Sequence, residues 1–136
     1  MAQRTAATVK NPAYAGEAGN LSVDHGTFTA AAAAIADTID LLTIQAGSKL
    51  LDVKFVNAAL GALSTLGYGW RYKDGSAGGS ATALLAQTST AAAAMNFYTG
   101  APIQFDKDAI LYATVAGAAI TGQIDVVTNY EYKGVK

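Results

Sequence analysis

The sequence contains no cysteine, two prolines and a single histidine, His25. Without cysteine there is no disulfide framework, no thiol nucleophile and no cysteine-based zinc site. The absence also fits synthesis in a reducing cytosol. Charge is scarce too: Asp, Glu, Lys and Arg make up 14% of the chain, against roughly 25% in an average soluble domain. Nine basic residues face ten acidic ones, for a net charge of −1. The basic excess expected of a nucleic-acid binder is therefore missing. Long hydrophobic runs are absent as well. The longest, Ala30–Ala36, ends at Asp37, far short of the roughly 18 apolar residues that a membrane helix needs. The N-terminal residues do not follow the plan of a secretory signal, because Lys10, Asn11 and Pro12 fall where its apolar stretch would lie.

Small residues dominate what remains. Ala (30), Gly (14), Thr (14) and Ser (6) account for 64 of 136 residues, and 51% of the chain is hydrophobic. That is too apolar for a disordered tail. The length suits one domain, burying roughly two-thirds of the surface of the unfolded chain. Near-zero net charge offers little electrostatic protection against self-association, so copies of the same chain are the first expected partner.

Residues 1–20 hold Arg4, Lys10, one proline and two glycines, with no Ile or Leu. They read as an extended N-terminal arm, loose or laid across a neighbouring subunit, with Arg4, Val9, Lys10 and Tyr14 as its contact residues. Residues 21–136 read as a single β domain. Asp37–Ile44 is rich in Thr and Ile and ends at the turn Gln45–Ser48. In Lys49–Asn57, Leu51, Val53 and Phe55 alternate with Asp52 and Lys54, the period of a half-buried strand. Leu66, Tyr68, Trp70 and Tyr72 share one face of a strand whose other face is Gly67, Gly69 and Arg71. Asp74–Ser80 is a loop. Pro102–Phe105 and Ala109–Ala116 are strands flanking the turn Asp106–Asp108, and Ile120–Tyr132 is a long amphipathic strand with Val127 on its polar face. Strands at hairpin spacing predict a mainly β fold, an antiparallel sandwich or barrel. Of the two alanine runs, Ala30–Ala34 follows Thr-Phe-Thr and is read as strand. The second run is Ala91–Ala94, and in its region Ala81–Gln87 is read as a helical turn with Leu84 and Leu85 packed inward; both runs are shorter than the about 12 residues an isolated helix requires.

Motifs for chemistry are absent. His25, in Asp24-His25-Gly26, reads as a turn histidine without a catalytic role. No Gly-x-Ser-x-Gly elbow and no phosphate-binding glycine pattern occur. Asp37/Asp40 and Asp106/Asp108 are paired carboxylates, of the kind that serves glycosidases or calcium sites, but neither has the further ligands or partners those sites need. No catalytic, cofactor or metal residues are assigned. Tyr68, Trp70 and Tyr72 are either core or interface, or a stacking platform for sugar rings.

The succession Asp37-Thr-Ile-Asp-Leu-Leu-Thr-Ile-Gln-Ala-Gly-Ser-Lys-Leu-Leu-Asp-Val-Lys-Phe-Val56, followed by Leu63–Tyr72, Lys73-Asp-Gly75 and Ile110 through Tyr132, resembles the small decoration or cement proteins of tailed bacteriophages. The resemblance spans roughly residues 35–132. It implies a jelly-roll-like β-sandwich that binds the major capsid protein on the outer surface of the virion, as a homotrimer, after synthesis in the bacterial cytoplasm. It implies no enzyme activity, cofactor, nucleic acid or membrane. A carbohydrate-binding head-fibre or tail-associated module, with Tyr68, Trp70 and Tyr72 as its platform, and a tail-tube or adaptor component are the alternatives.

Overall fold

A computed structural model describes residues 2–10 and 21–133 of the chain. The strands are β1 (Gln3–Thr5), β2 (Leu21–Ala33), β3 (Thr38–Ile44), β4 (Ser48–Asn57), β5 (Thr65–Tyr72), β6 (Leu85–Ser89), β7 (Ala94–Phe97), β8 (Ile103–Gln104), β9 (Ala109–Ala116) and β10 (Ile120–Tyr132), with one 3₁₀ turn at Ala7–Lys10. They form two sheets, in the orders β1-β3-β9-β5-β6 and β2-β10-β4-β7, with β8 also pairing β4. All pairings are antiparallel except β1 with β3. The protein is a mainly β sandwich.

The period-2 segments form strands because each has one face to bury. From the first sheet, Ile39, Leu41, Leu111, Val115, Leu66 and Tyr68 point inward, and from the second, Leu50, Val53, Phe55, Ile124 and Val126. Two aromatic contacts join the layers: Phe55 stacks on Tyr68 at 4.3 Å, and Trp70 meets Phe105 edge-on at 4.9 Å.

Several local expectations change. Leu50 rather than Leu51 enters the core. Between Asn129/Asp52 and Tyr130/Leu50 the ladder shifts register, so Leu51 is the extra residue of a bulge. Past a bulge the alternation restarts, and an unbroken period assigns the wrong leucine. His25 lies within β2 and not in a turn, paired across the ladder with Val127. Ala81–Ala83 is a turn without a helix, held by Ala83 N–H to Ser80 O at 3.3 Å. Leu84 is buried and Leu85 half-buried as β6 begins. Ala30–Ala33 is strand, as its flanking threonines suggested, and only Ala94 of the second alanine run joins a strand.

Gly69 shows why the outer side of β5 is built from glycine. A Cβ there would sit 1.8 Å from the Ser80 carbonyl oxygen, so only glycine lets the 80–81 segment lie against the strand.

Candidate functional site

Residues 2–10, expected to extend from the domain, lie against β3 of their own chain. Thr38 N–H donates to Ala2 O at 3.1 Å, and Ala6 N–H donates to Asp40 O at 2.9 Å. Thr43 Oγ1 donates to Val9 O at 3.1 Å, and Thr8 Oγ1 donates to Leu41 O at 3.0 Å. Ala6 is buried and Val9 packs on the core, so a segment lacking Ile and Leu is held mainly by backbone hydrogen bonds. Lys10 is exposed, and Tyr14 lies outside the described residues.

Arg4 is also engaged internally. Its Nε donates to Asp37 Oδ2 at 2.7 Å, and Ala2 and Ala34 N–H groups donate to the same carboxylate at 2.9 and 3.0 Å. The Arg4 hydrogen bond, followed by that of Ala2, holds the Asp37 carboxyl down to about 2, outweighing the effect of its burial. Asp40 has a parallel arrangement. Arg71 Nη2 donates to Oδ1 and Oδ2 at 2.7 and 2.8 Å, and Gln3 Nε2 donates to Oδ2 at 2.6 Å. The Arg71 guanidinium also lies 4.6 Å from the Tyr112 ring centroid. Both carboxylates of the Asp37/Asp40 pair are therefore neutralised structural groups, 2% and 3% exposed, and not a general acid and base.

The other chemical candidates resolve similarly. Asp108 Oδ1 accepts from Ala46 N–H at 2.9 Å, and Lys107 reaches Asp74 at 3.2 Å and Ser76 Oγ at 2.6 Å, forming a solvated charged turn. Among the described residues no group of three or more His, Asp or Glu is placed to hold a metal ion. His25 Nε2 lies 3.0 Å from Asp125 Oδ1 on an open sheet face. Tyr68 is 3% exposed, and burial pushes its phenol above the ordinary value. Trp70 and Tyr72 are half-buried and pack edge to face at 5.1 Å. Tyr68 thus lies in the core, and Trp70 and Tyr72 pack against it with part of each ring open to solvent.

The feature that sequence reasoning missed is the outer face of the second sheet. Register places Val23, Asn129 and Asp52 in one row, His25, Val127, Lys54 and Phe97 in the next, and Thr27, Asp125, Val56 and Met95 in a third. Leu21, Val23, Met95 and Phe97 are all exposed there. Asn129 Nδ2 bonds Asp52 Oδ1 at 2.5 Å and Gln123 Nε2 bonds Asp125 Oδ2 at 3.0 Å, tying polar groups between the apolar ones. A face that mixes large apolar side chains with a polar network has the make-up of a protein–protein contact. Only the sheet order brings these residues together; the one signal along the chain is Val127, an apolar residue on the polar side of β10.

No protein-family model matches the sequence, and no curated protein matches it. Solved structures do share the fold. A chain of the capsid of Ralstonia phage GP4 is similar over 98% of this chain and 99% of its own, with a TM-score of 0.74 and 13% identity. A chain from the cyanophage Pam1 capsid asymmetric unit is similar over 92% of this chain and 93% of its own, at 0.66 and 21%. A third, from the acid-stable capsid of Helicobacter pylori bacteriophage KHP30, is similar over 88% of this chain and 93% of its own, at 0.61 and 13%. At such identities the likeness is one of fold, and it runs through nearly the whole of each chain.

Proposed function

We propose that this protein is a structural, non-enzymatic virion protein that binds the outer surface of a phage capsid and stabilises the shell. The observation that carries the reading is the full-length fold likeness to three chains, all from phage capsids. Two physical features support it. The described residues with chemical potential are tied into structural pairs, and the outer face of the second sheet leaves large apolar residues uncovered.

In this reading the major capsid protein is the partner and the protein acts as a homotrimer. Repeated contacts to the shell then combine through avidity, so that modest single-site affinities give durable attachment. Lys10 and Tyr14 are contacts to a neighbouring protein in this reading.

Purified particles made with and without the protein test the proposal. Particles containing it should carry it on the outside by electron microscopy and withstand heat or osmotic shock that opens particles lacking it. Equal resistance, together with failure of the protein to sediment with particles, would sink the reading. Light scattering of the free protein reports whether it is a trimer.

A further inference from the structure

The loop that joins β5 to β6 lies over two aromatic rings and is fastened unevenly. Its start is held by backbone hydrogen bonds, Lys73 N–H to Asp108 O at 2.8 Å and Gly75 N–H to Tyr72 O at 3.2 Å. At its far end Ser80 sits on Gly69, and just beyond, Leu84 N–H donates to Tyr68 O at 3.0 Å. Between these points Gly78 and Gly79 lie directly on the rings. A Cβ on Gly78 would stand 2.7 Å from Tyr72 Cε2 and 3.2 Å from Trp70 Cη2, and one on Gly79 would strike the Trp70 carbonyl oxygen. Only backbone without side chains passes this close, and the rings beneath it are half-buried.

One side chain clasps the first half of this loop. Lys107, from the turn before β9, donates from Nζ to Ser76 Oγ at 2.6 Å. The same Nζ lies 3.2 Å from Asp74 Oδ2 and 5.9 Å from the Tyr72 ring centroid. Ser76 N–H donates to Asp74 Oδ1 at 2.8 Å, which folds the start of the loop into a turn. Hydrogen bonds from Ser76, then from Lys107, hold the Asp74 carboxyl down to about 2, so the clasp keeps its charges in all but strong acid. Ala77, Gly78 and Gly79 are exposed, and the glycines bring no side chain to bury. A segment with few buried contacts and solvent-exposed bonds is where a fold opens first.

We propose that residues 74–80 are a strap latched by Lys107, which opens as a unit over Trp70 and Tyr72 while the two sheets stay folded. The strap covers the outer end of a run of aromatic rings, in which Trp70 meets Tyr72 at 5.1 Å and the buried Phe105 at 4.9 Å. Opening wets the Trp70 and Tyr72 faces under the glycines and leaves the Phe105 contact in place. No sheet is unmade, because β5 keeps its pairing with β9 along Thr65–Tyr72. The latch sets how often this happens. An ion pair whose two side chains are each 52% exposed is screened by salt, so ionic strength rather than mild acid is the lever. The motion belongs to the free protein and does not depend on the proposed function.

Native-state proteolysis of the full chain with subtilisin, read by mass spectrometry, tests this, because cleavage follows the population of the open form. Cleavage within residues 74–80 should be about two- to fivefold faster in Lys107→Met, the shift that loss of an exposed ion pair gives. Lys107→Arg keeps the cation and should be cut at the wild-type rate. Salt at about 1 M, which screens charges beyond about 3 Å, should speed cleavage of the wild type and leave Lys107→Met unchanged. Trp70 is the only tryptophan, so its fluorescence reads this spot alone. After the cut, acrylamide should quench it more strongly while the circular-dichroism signal of the β-sheets persists. Equal cleavage of the wild type and Lys107→Met overturns the proposal, as does Lys107→Arg cut as fast as Lys107→Met. Unchanged Trp70 quenching after the cut also overturns it, because the loop would then not cover the ring. So does cleavage that appears only as the β-sheet signal is lost, because the strap would then not open on its own.

Discussion

The two outer faces of the sandwich carry similar amounts of polar chemistry and use it in opposite ways. On the first sheet, Asp40, Arg71, Tyr112 and Ile110 sit beside Gly67 and Gly69, and the chain closes over them. Ser80–Ala81 lies on Gly69, Gln87 on Gly67, and the N-terminal strand brings Gln3 to Asp40. On the second sheet, His25, Asp125, Lys54 and Asn129 alternate with Val23, Val127, Phe97 and Met95, and among the described residues nothing covers them. Two of its contacts join distant parts of the chain: its ion pair is 31 residues apart in sequence and its Gln3 contact 37. Polar groups there stabilise the fold because burial has made them dependent on each other. Polar groups on the open face remain hydrated and are free to serve a partner.

Substitutions that enforce this difference separate stability from binding. The largest effect is expected at Gly69: alanine would drive a Cβ into the Ser80 carbonyl, and chemical denaturation should show a loss of about 3 kcal/mol. A loss below about 1 kcal/mol would show that the 80–81 segment is not seated on β5. Next comes Arg71→Ala, which leaves the Asp40 carboxylate buried with Gln3 alone. The expected cost is about 2 kcal/mol, below the full range for a buried pair because Arg71 is one-third open to water. Arg71→Lys should restore less than half of it, since an ammonium does not reproduce the two-oxygen contact.

The Asp37–Arg4 clasp is read through pH. The folded-state carboxyl is held at about 2, below its ordinary 3.8, so the unfolded chain takes up the proton first as pH falls. The stability this group contributes is fully present above about pH 4 and is lost progressively as pH drops to about 2. Melting temperature followed across that window should fall less steeply in Arg4→Ala than in the wild type; parallel curves would remove Arg4 as the cause. The smallest effect belongs to the open face. Phe97→Ser should change stability by no more than about 0.5 kcal/mol, as an exposed position allows. A melting-temperature loss as large as that of Arg71→Ala would mean that Phe97 is internal, and the contrast between the faces would collapse.

Much of the fold was legible along the chain. Ala109–Ala116 and Ile120–Tyr132 are strands with the expected boundaries, and Leu66–Tyr72 turns its aromatic face inward. The misreadings share a cause. Leu51 was expected inside, but a bulge forms only against β10, 77 residues away at the Asn129–Asp52 bond. The Asp37 and Asp40 carboxylates were weighed as a pair with each other, whereas each is satisfied by an arginine from a distant segment. Residues 2–10 lacked apolar pattern and so read as an arm; backbone hydrogen bonds to an edge strand carry no side-chain signature.

What the sequence determined by itself is therefore what depends on local period and composition: a mainly β fold and, with no cysteine, no thiol chemistry. Alternation is a property of a few neighbouring residues and survives without knowing what the strand will pair with. Which face is closed and which residues line an exposed row were decided only by the tertiary structure. Each of those depends on register between strands far apart in the chain, and a shift of one residue reverses every side chain in the row.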